Sequence, residues 1–300
     1  MKKYQLYQVD SFTTDLFRGN PAGVVPDADG LSAEQMQAIA RELNNSETAF
    51  ILSPTADDHE VWIRFFTPAT EVPSCGHATI AAHYVRAREM GLSSCTVVQK
   101  IGAGILPVEI TREEGDYRIV MTQGAIEFGE TLTGELRYEI VAALRLEQGD
   151  LGNRCPVQIV STGHSKVLVG IRERAVLDRL RPDLPRLAEI SRRIGCNGYF
   201  VFVLVDEPGG VLSHGRMFAP AIGIAEDPVT GNANGPLGAY LVRHRLVPTD
   251  GRCLAFKGRQ GEAIGRPGTV EVTVEIADGR PTTVRVGGRA VIVFKSEIEL

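Results

Sequence analysis

Phe218 to Tyr240 reads FAPAIGIAEDPVTGNANGPLGAY, and the reading of this stretch decides the fold. It opens on β-like residues and a proline, and carries the acidic pair Glu226-Asp227 before Pro228. It then passes through Thr230-Gly231-Asn232 into an apolar run of small residues with helical character. Residues 66–86, FTPATEVPSCGHATIAAHYVR, repeat the plan. Both copies follow Phe-x-Pro, and both contain Pro-x-x-Gly-x-Ala, from Pro73 to Ala78 and from Pro228 to Ala233. In each, a glycine sits where a turn feeds a helix. The first N–H groups of a helix have no acceptor within it, the dipole makes that end positive, and glycine lets a ligand come close. Two such starts, at Gly76 and Gly231, would clamp a small carboxylate if they faced each other.

The flanks repeat as well. Ser32 and Gln35 form a capping box, and Met36, Ile39 and Leu43 follow at helical spacing, so the pattern predicts a helix over 32–44. Asn44-Asn45 ends it, and Glu47 comes next, at the mouth of the β-rich run 48–52. A second helix at 184–194 carries Leu187, Ile190 and Ile194 and runs into Tyr199-Phe200-Val201-Phe202 in the same way. Aligning Ile39-x-Arg41-x-Leu43 with Ile190-x-Arg192-x-Ile194 gives an offset of 151, and aligning Gly76 with Gly231 gives 155. Two landmarks at half the chain length argue for an ancient duplication, with a boundary near 122–130.

Around these helices the pattern predicts strands at 4–10, 61–66, 95–100, 105–110 and 117–122. In the second half it predicts them at 155–160, 166–171, 253–257, 269–276, 282–286 and 290–294. Arg18 to Gly23 reads as a loop, with extended structure resuming at Val24-Val25. The helix from Gly76 to about Met90 is apolar nearly all round, so it is expected to be buried, with Gly91 as its cap. The fold class is therefore α+β: two similar domains, each a curved, mostly antiparallel sheet around a central helix, with the active site in the cleft between them.

The chemistry is expected where the halves differ. Cys75-Gly76-His77 stands against Thr230-Gly231-Asn232, Glu47 against Gly198, and Asp227 against Val72. One carboxylate per half, an imidazole, a thiol and a carboxamide suit proton transfer. Gly102-x-Gly104 lacks the rest of a dinucleotide fingerprint, there is no Walker loop, and no cluster shows metal-ligand spacing in the sequence. Gln260-Gly261 reads as turn chemistry. The 300 residues carry a net charge of −5, which argues against a nucleic-acid footprint. The opening MKKYQLYQVDSF has no apolar run behind its lysines, and no stretch approaches a membrane span. Five scattered cysteines point to a reducing cytoplasm rather than a disulfide frame.

Several stretches together resemble the phenazine-biosynthesis PhzF-like isomerases: QVDSFTTDLFRGNPAGVV at 8–25, NSETAF at 45–50, FTPATEVPSCGHAT at 66–79, RMFAPAIGIAEDPVTGNANGPLGAYL at 216–241 and KGRQGEAIGRPG at 257–268. The resemblance implies a diaminopimelate epimerase-like fold, a homodimer and no cofactor. It also implies a last strand returning to the first domain. The domains would then be 1–123 with about 288–300, and 124–287. It implies Glu47 as the residue that takes and returns a proton, with His77 and Asp227 polarising the substrate. Asn20, Cys75, Gly76, Thr230, Gly231 and Asn232 would line the substrate site, with no metal.

Two residues depart from the phenazine enzyme, which resembles this chain but carries Ser at Asn232 and Ala at Cys75. Cys75 falls where the related epimerases keep one catalytic cysteine, and Thr230 falls where they keep the other. The expectation is an isomerase of a small carboxylic acid. The alternatives are a one-thiol epimerase or dehydratase using Cys75, and a carboxylate-binding protein without turnover.

Overall fold

The computed structural model describes residues 2–196 and 198–300, and divides into two compact units, Met1–Thr122 with Gly287–Leu300, and Gln123–Val286. In the first unit, the strand Lys3–Ser11 lies between Ala290–Glu299 and Asn20–Val25, antiparallel to both. Asn20–Val25 pairs in parallel with Glu47–Leu52, and the helix Ala33–Leu43 makes the crossover between them. Val61–Phe66 continues the sheet antiparallel, then Cys95–Ile101 in parallel, then Gly104–Glu113 and Asp116–Thr122 antiparallel.

The crossover helix forms where the sequence places it. Ser32 accepts from the Gln35 N–H, the Gln35 side chain accepts from the Ser32 N–H, and Asn44 closes the far end at φ 52°. It buries Met36, Ile39 and Ala40. Gly23 is forced by this packing, because a Cβ there would lie 2.7 Å from both Leu43 Cδ1 and Thr48 Oγ1. The helix Gly76–Met90 ends at Gly91, φ 60°, and is buried through Val85. It touches the strands Asn20–Val25 and Asp116–Thr122, which lie far apart in the strand order, so the sheet curves around it. Burial of Ala78, Ile80, Ala81, Ala82 and Val85 anchors this helix through apolar area removed from water.

The second unit repeats the order. Lys166–Ile171 pairs in parallel with Tyr199–Glu207, and the helix Leu184–Ile194 lies between them in the chain. This helix starts 151 residues after Ala33, and Gly231–Arg243 starts 155 after Gly76. Val211–Ala219 is antiparallel to Tyr199–Glu207 and parallel to Cys253–Gln260, which pairs with Gly268–Ala277. Glu127–Thr131 and Gln158–Ser161 extend the sheet at its other end. The buried helix Gly231–Arg243 packs on strands of this sheet, with Ala233, Leu237, Tyr240 and Leu241 fully enclosed.

Three features depart from the sequence pattern. Asn20–Val25 is a strand throughout, although Asn20-Pro21 reads as a loop; Pro21 takes its place in register with Asp10. The strand expected at 155–160 begins only at Gln158, beyond Pro156. Helices at Gly134–Ala143 and Arg174–Arg179, and the strands Glu127–Thr131 and Val211–Ala219, lack an expectation in the sequence pattern. Among the described residues, no helix is long and apolar enough to cross a membrane.

Candidate active site

The residues expected to carry the chemistry fall into two clusters, one in each unit. In the first, Glu47 is the opening residue of its strand, in register with Ala22. Cys75 is the extended N-cap of the buried helix and makes no side-chain cap. Gly76 and His77 are the first two helical residues, so their amides have no acceptor four residues back. The Ser11 hydroxyl donates to the His77 carbonyl at 2.8 Å, and the Thr79 hydroxyl donates to the Cys75 carbonyl at 2.7 Å, which together fix the turn. Asn20 is fully buried, in register with Ser11.

The fold brings Glu47, Cys75 and His77 together. Glu47 Oε2 lies 3.3 Å from His77 Nε2, with the side chains only 15% and 8% exposed. Cys75 Sγ lies 3.4 Å from His77 Nδ1. Burial pushes the His77 pKa down to about 4, so the ring is neutral near pH 7. An ionised Glu47 at this distance would favour the imidazolium, but desolvation is the larger effect. A neutral ring carries its hydrogen on one nitrogen and accepts at the other, so His77 can serve the carboxylate and the thiol in either sense. One ligand atom from each of the three residues lies within 4.8 Å of the others, a carboxylate–thiol–imidazole set of the type that binds zinc. The chain spacing of 47, 75 and 77 hides this set, since it exists only once strand and helix are side by side.

The second cluster surrounds the start of Gly231–Arg243, whose N-cap is Thr230. The Thr230 hydroxyl donates to Asp227 Oδ2. Gln260, fully buried, locks this turn: its amide donates to the Asp227 carbonyl at 2.8 Å and the Thr230 hydroxyl at 3.0 Å. Its Oε1 accepts from Thr230 N–H at 3.1 Å and from Asn234 at 3.2 Å. Gln260 is therefore a buried tie across this turn rather than an exposed turn residue. Asn232 is held by Gln123, whose Nε2 donates to Asn232 Oδ1 at 2.9 Å and to the Gly231 carbonyl at 3.3 Å. Thr162 Oγ1 donates in turn to Gln123 Oε1 at 2.8 Å. Gln123 is absent from the sequence-based set. Its only signal is a lone polar residue between a strand and the glycine-rich boundary. Two hollows of the second unit, one lined by Arg145, Arg179 and Arg181 and the other by Asn153 and Arg154, include none of these residues.

Comparison with known proteins places this arrangement. An isomerase of Clostridium acetobutylicum, described as uncharacterized, is 56% identical over 300 residues, covering 100% of this chain and 99% of its own. The trans-2,3-dihydro-3-hydroxyanthranilate isomerase of Pseudomonas aeruginosa is 33% identical over 282 residues, covering 93% and 94%. The crystal structure of a Bacillus anthracis phenazine biosynthesis protein of the PhzF family superposes with a TM-score of 0.89 at 32% identity, covering all of both chains. An Agrobacterium radiobacter chain described as a probable proline racemase shares the fold at a TM-score of 0.67 and 13% identity, covering 99% and 93%. The fold is thus the two-domain epimerase-like one, and the chain is by class an isomerase. The profile of the phenazine biosynthesis-like proteins matches residues 9–296, and the chain belongs to that family.

Proposed function

We propose that the protein is a cofactor-independent isomerase of a small carboxylic acid, with Glu47 as the group that removes a proton from one carbon and returns it to another. The observation that carries this reading is the 3.3 Å contact between Glu47 Oε2 and the neutral, buried His77. Glu47 accepts a proton from a C–H bond next to an electron-withdrawing group. The electron pair moves along the conjugated system, and the same carboxyl delivers the proton at its other end. His77, neutral near pH 7, positions the carboxylate. The helix-start amides at Gly76–His77 in the first unit, and those at Gly231–Asn232 in the second, are each suited to hold a carboxylate. Asp227, oriented by Thr230 and Gln260, polarises a second substrate group. Asn20 and Cys75 line the site, and the functional unit is a homodimer.

A panel of small acids, beginning with trans-2,3-dihydro-3-hydroxyanthranilate, incubated with the protein in deuterated water and followed by mass spectrometry tests the reading. Deuterium appears in an acid turned over by the wild type and fails to appear with Glu47→Gln. Exchange by the Gln variant at the wild-type rate overturns it.

A second reading has a specific observation behind it: Cys75 Sγ lies 3.4 Å from His77 Nδ1, a pairing that can activate a thiol. A one-thiol epimerase using Cys75 would lose its exchange activity on alkylation by iodoacetamide. The Glu47 mechanism predicts that protonation chemistry survives in Cys75→Ala.

A further inference from the structure

The two units repeat one arrangement with the charge inverted. In the first unit, the parallel pair Asn20–Val25 and Glu47–Leu52 sets Ala22 beside Glu47. In the second, Val167 is in register with Tyr199, and its N–H donates to the Gly198 carbonyl at 2.8 Å. Lys166 therefore stands beside Gly198, the position 151 residues after Glu47. Where the first unit has a small residue beside a carboxylate, the second has an ammonium beside no side chain at all.

The lysine occupies the space that the glycine leaves. A Cβ on Gly198 would lie 2.5 Å from Lys166 Cδ and 2.9 Å from its Cε. Lys166 is only 7% exposed and begins a strand whose other residues, Val167 to Ile171, are all buried. Among the described residues, its ammonium makes one hydrogen bond, to the Ser165 carbonyl at 3.1 Å, and enters no ion pair. Asp227 and Cys196 are near enough to act on its charge, while burial pulls its pKa down. An ammonium has three donors, and a buried one with a single acceptor is costly. An apolar side chain on this core strand would be the more stable choice, so the lysine needs a use that the fold itself does not supply.

We propose that Lys166 Nζ is a receptor for a carboxylate group of the ligand. The substrate's acid would meet a charged donor in the second unit, in addition to that unit's own helix-start amides at Gly231–Asn232. This rests on the isomerase reading for naming the ligand as substrate, but the binding is tested without turnover.

The test is calorimetric titration of the full chain at pH 7 with sodium benzoate and, as its uncharged counterpart, benzamide. The wild type binds benzoate more tightly than benzamide. Lys166→Met weakens benzoate binding by about tenfold or more, as expected for loss of a charge-assisted contact, and leaves benzamide unchanged. Gly198→Ala, which keeps the charge but crowds its stem, weakens benzoate in the same direction. The titration involves no turnover, so failure of the proton-transfer reading leaves this result untouched. The ligand-free Lys166→Met protein melts at or above the wild-type temperature. Equal benzoate affinity in wild type and Lys166→Met overturns the proposal, as does a wild type that does not distinguish benzoate from benzamide. A Lys166→Met protein that melts well below the wild type marks the lysine as structural and overturns it equally.

Discussion

Glu47 Oε2 and His77 Nε2 lie 3.3 Å apart, the carboxylate from the first residue of a strand and the imidazole from the second residue of a buried helix. Neither element could place both groups alone. The strand fixes Glu47 through its parallel pairing with Asn20–Val25, and the helix fixes His77 through the Ser11 hydroxyl on its carbonyl. Both supports act on the backbone, through strand pairing and through the His77 carbonyl, so the two side chains can be altered chemically without loss of their framework.

Glu47→Gln is the first consequence. The amide is nearly the same size and can still hydrogen-bond His77, but it cannot take a proton from carbon. Thermal stability is expected within about 1 kcal/mol of the wild type, in the range of a half-buried polar substitution. Solvent-deuterium incorporation is expected to fall by about a thousandfold or more, toward the upper end of what a general base contributes. Glu47→Asp keeps the carboxylate but retracts it, and is expected to fall between the two. Wild-type exchange in the Gln variant would move the role of base to another carboxylate, Asp227 first.

Cys75 gives a sharper contrast. Its thiol touches His77, yet its counterpart in the other unit is Thr230, whose hydroxyl is committed to Asp227. Two-thiol chemistry is therefore missing its second member. Cys75→Ala is expected to cost less than about tenfold in turnover, about 1.4 kcal/mol of barrier. A loss of a thousandfold, measured as steady-state turnover, would transfer the chemistry to the thiol.

The buried His83 adds an acid-sensitive contribution to the stability of the fold. His83 is fully enclosed in the helix Gly76–Met90, with Nε2 bonded to Gln99 Oε1 at 2.9 Å. Burial lowers its pKa from 6.5 to about 4. The folded state thus binds the proton less readily than the unfolded chain. Stability is fully present above pH 6.5, falls as pH drops from 6.5 to about 4, and levels below that. The slope from one histidine is about 1.4 kcal/mol per pH unit within this window. Denaturant melts of the wild type and His83→Gln at several pH values check it. The variant is expected to lose one histidine's share of the slope, and parallel curves would count against the assignment.

What was legible in the sequence divides along physical lines. Ser32 with Gln35 and the spacing of Met36 and Ile39 are local signals, and the crossover helix follows from them. The repeated Pro-x-x-Gly-x-Ala is equally local and marks both buried helices. The strand through Asn20 and Pro21 was not legible, because the neighbours that hold it extended, Lys3–Ser11 and Glu47–Leu52, lie elsewhere in the chain. The same holds for Gln123, Lys166 and Gln260. A buried polar side chain looks like a surface one until its partners are known. Gly261 beside Gln260 gave half a clue: its φ is 85°, and a Cβ would lie 2.1 Å from the Arg266 carbonyl oxygen, so the turn there is built around a residue without a side chain.

Gln260 carries the last prediction. It is fully buried and joins four groups at the Asp227–Thr230 turn: two acceptors, the Asp227 carbonyl and the Thr230 hydroxyl, and two donors, the Thr230 N–H and the Asn234 amide. Gln260→Met has nearly the same volume but satisfies none of them. Each buried group left without a partner costs about 1–3 kcal/mol, and some will be recovered by local movement. A net loss of about 2–4 kcal/mol is expected, read as a lower denaturation midpoint at unchanged slope. Gln260→Glu is more informative, because it keeps the acceptor for Thr230 N–H while removing the donor to Thr230 Oγ1 and the Asp227 carbonyl. It also brings a second carboxylate close to Asp227. If Gln260 serves only the fold, the two variants lose activity in proportion to the folded fraction. If it positions Asp227, folded Gln260→Glu protein at low temperature still shows a depressed kcat, with the deficit easing toward acid pH as the new carboxyl is neutralised. A folded Glu variant with wild-type kcat at every pH would leave Gln260 with no role in positioning Asp227.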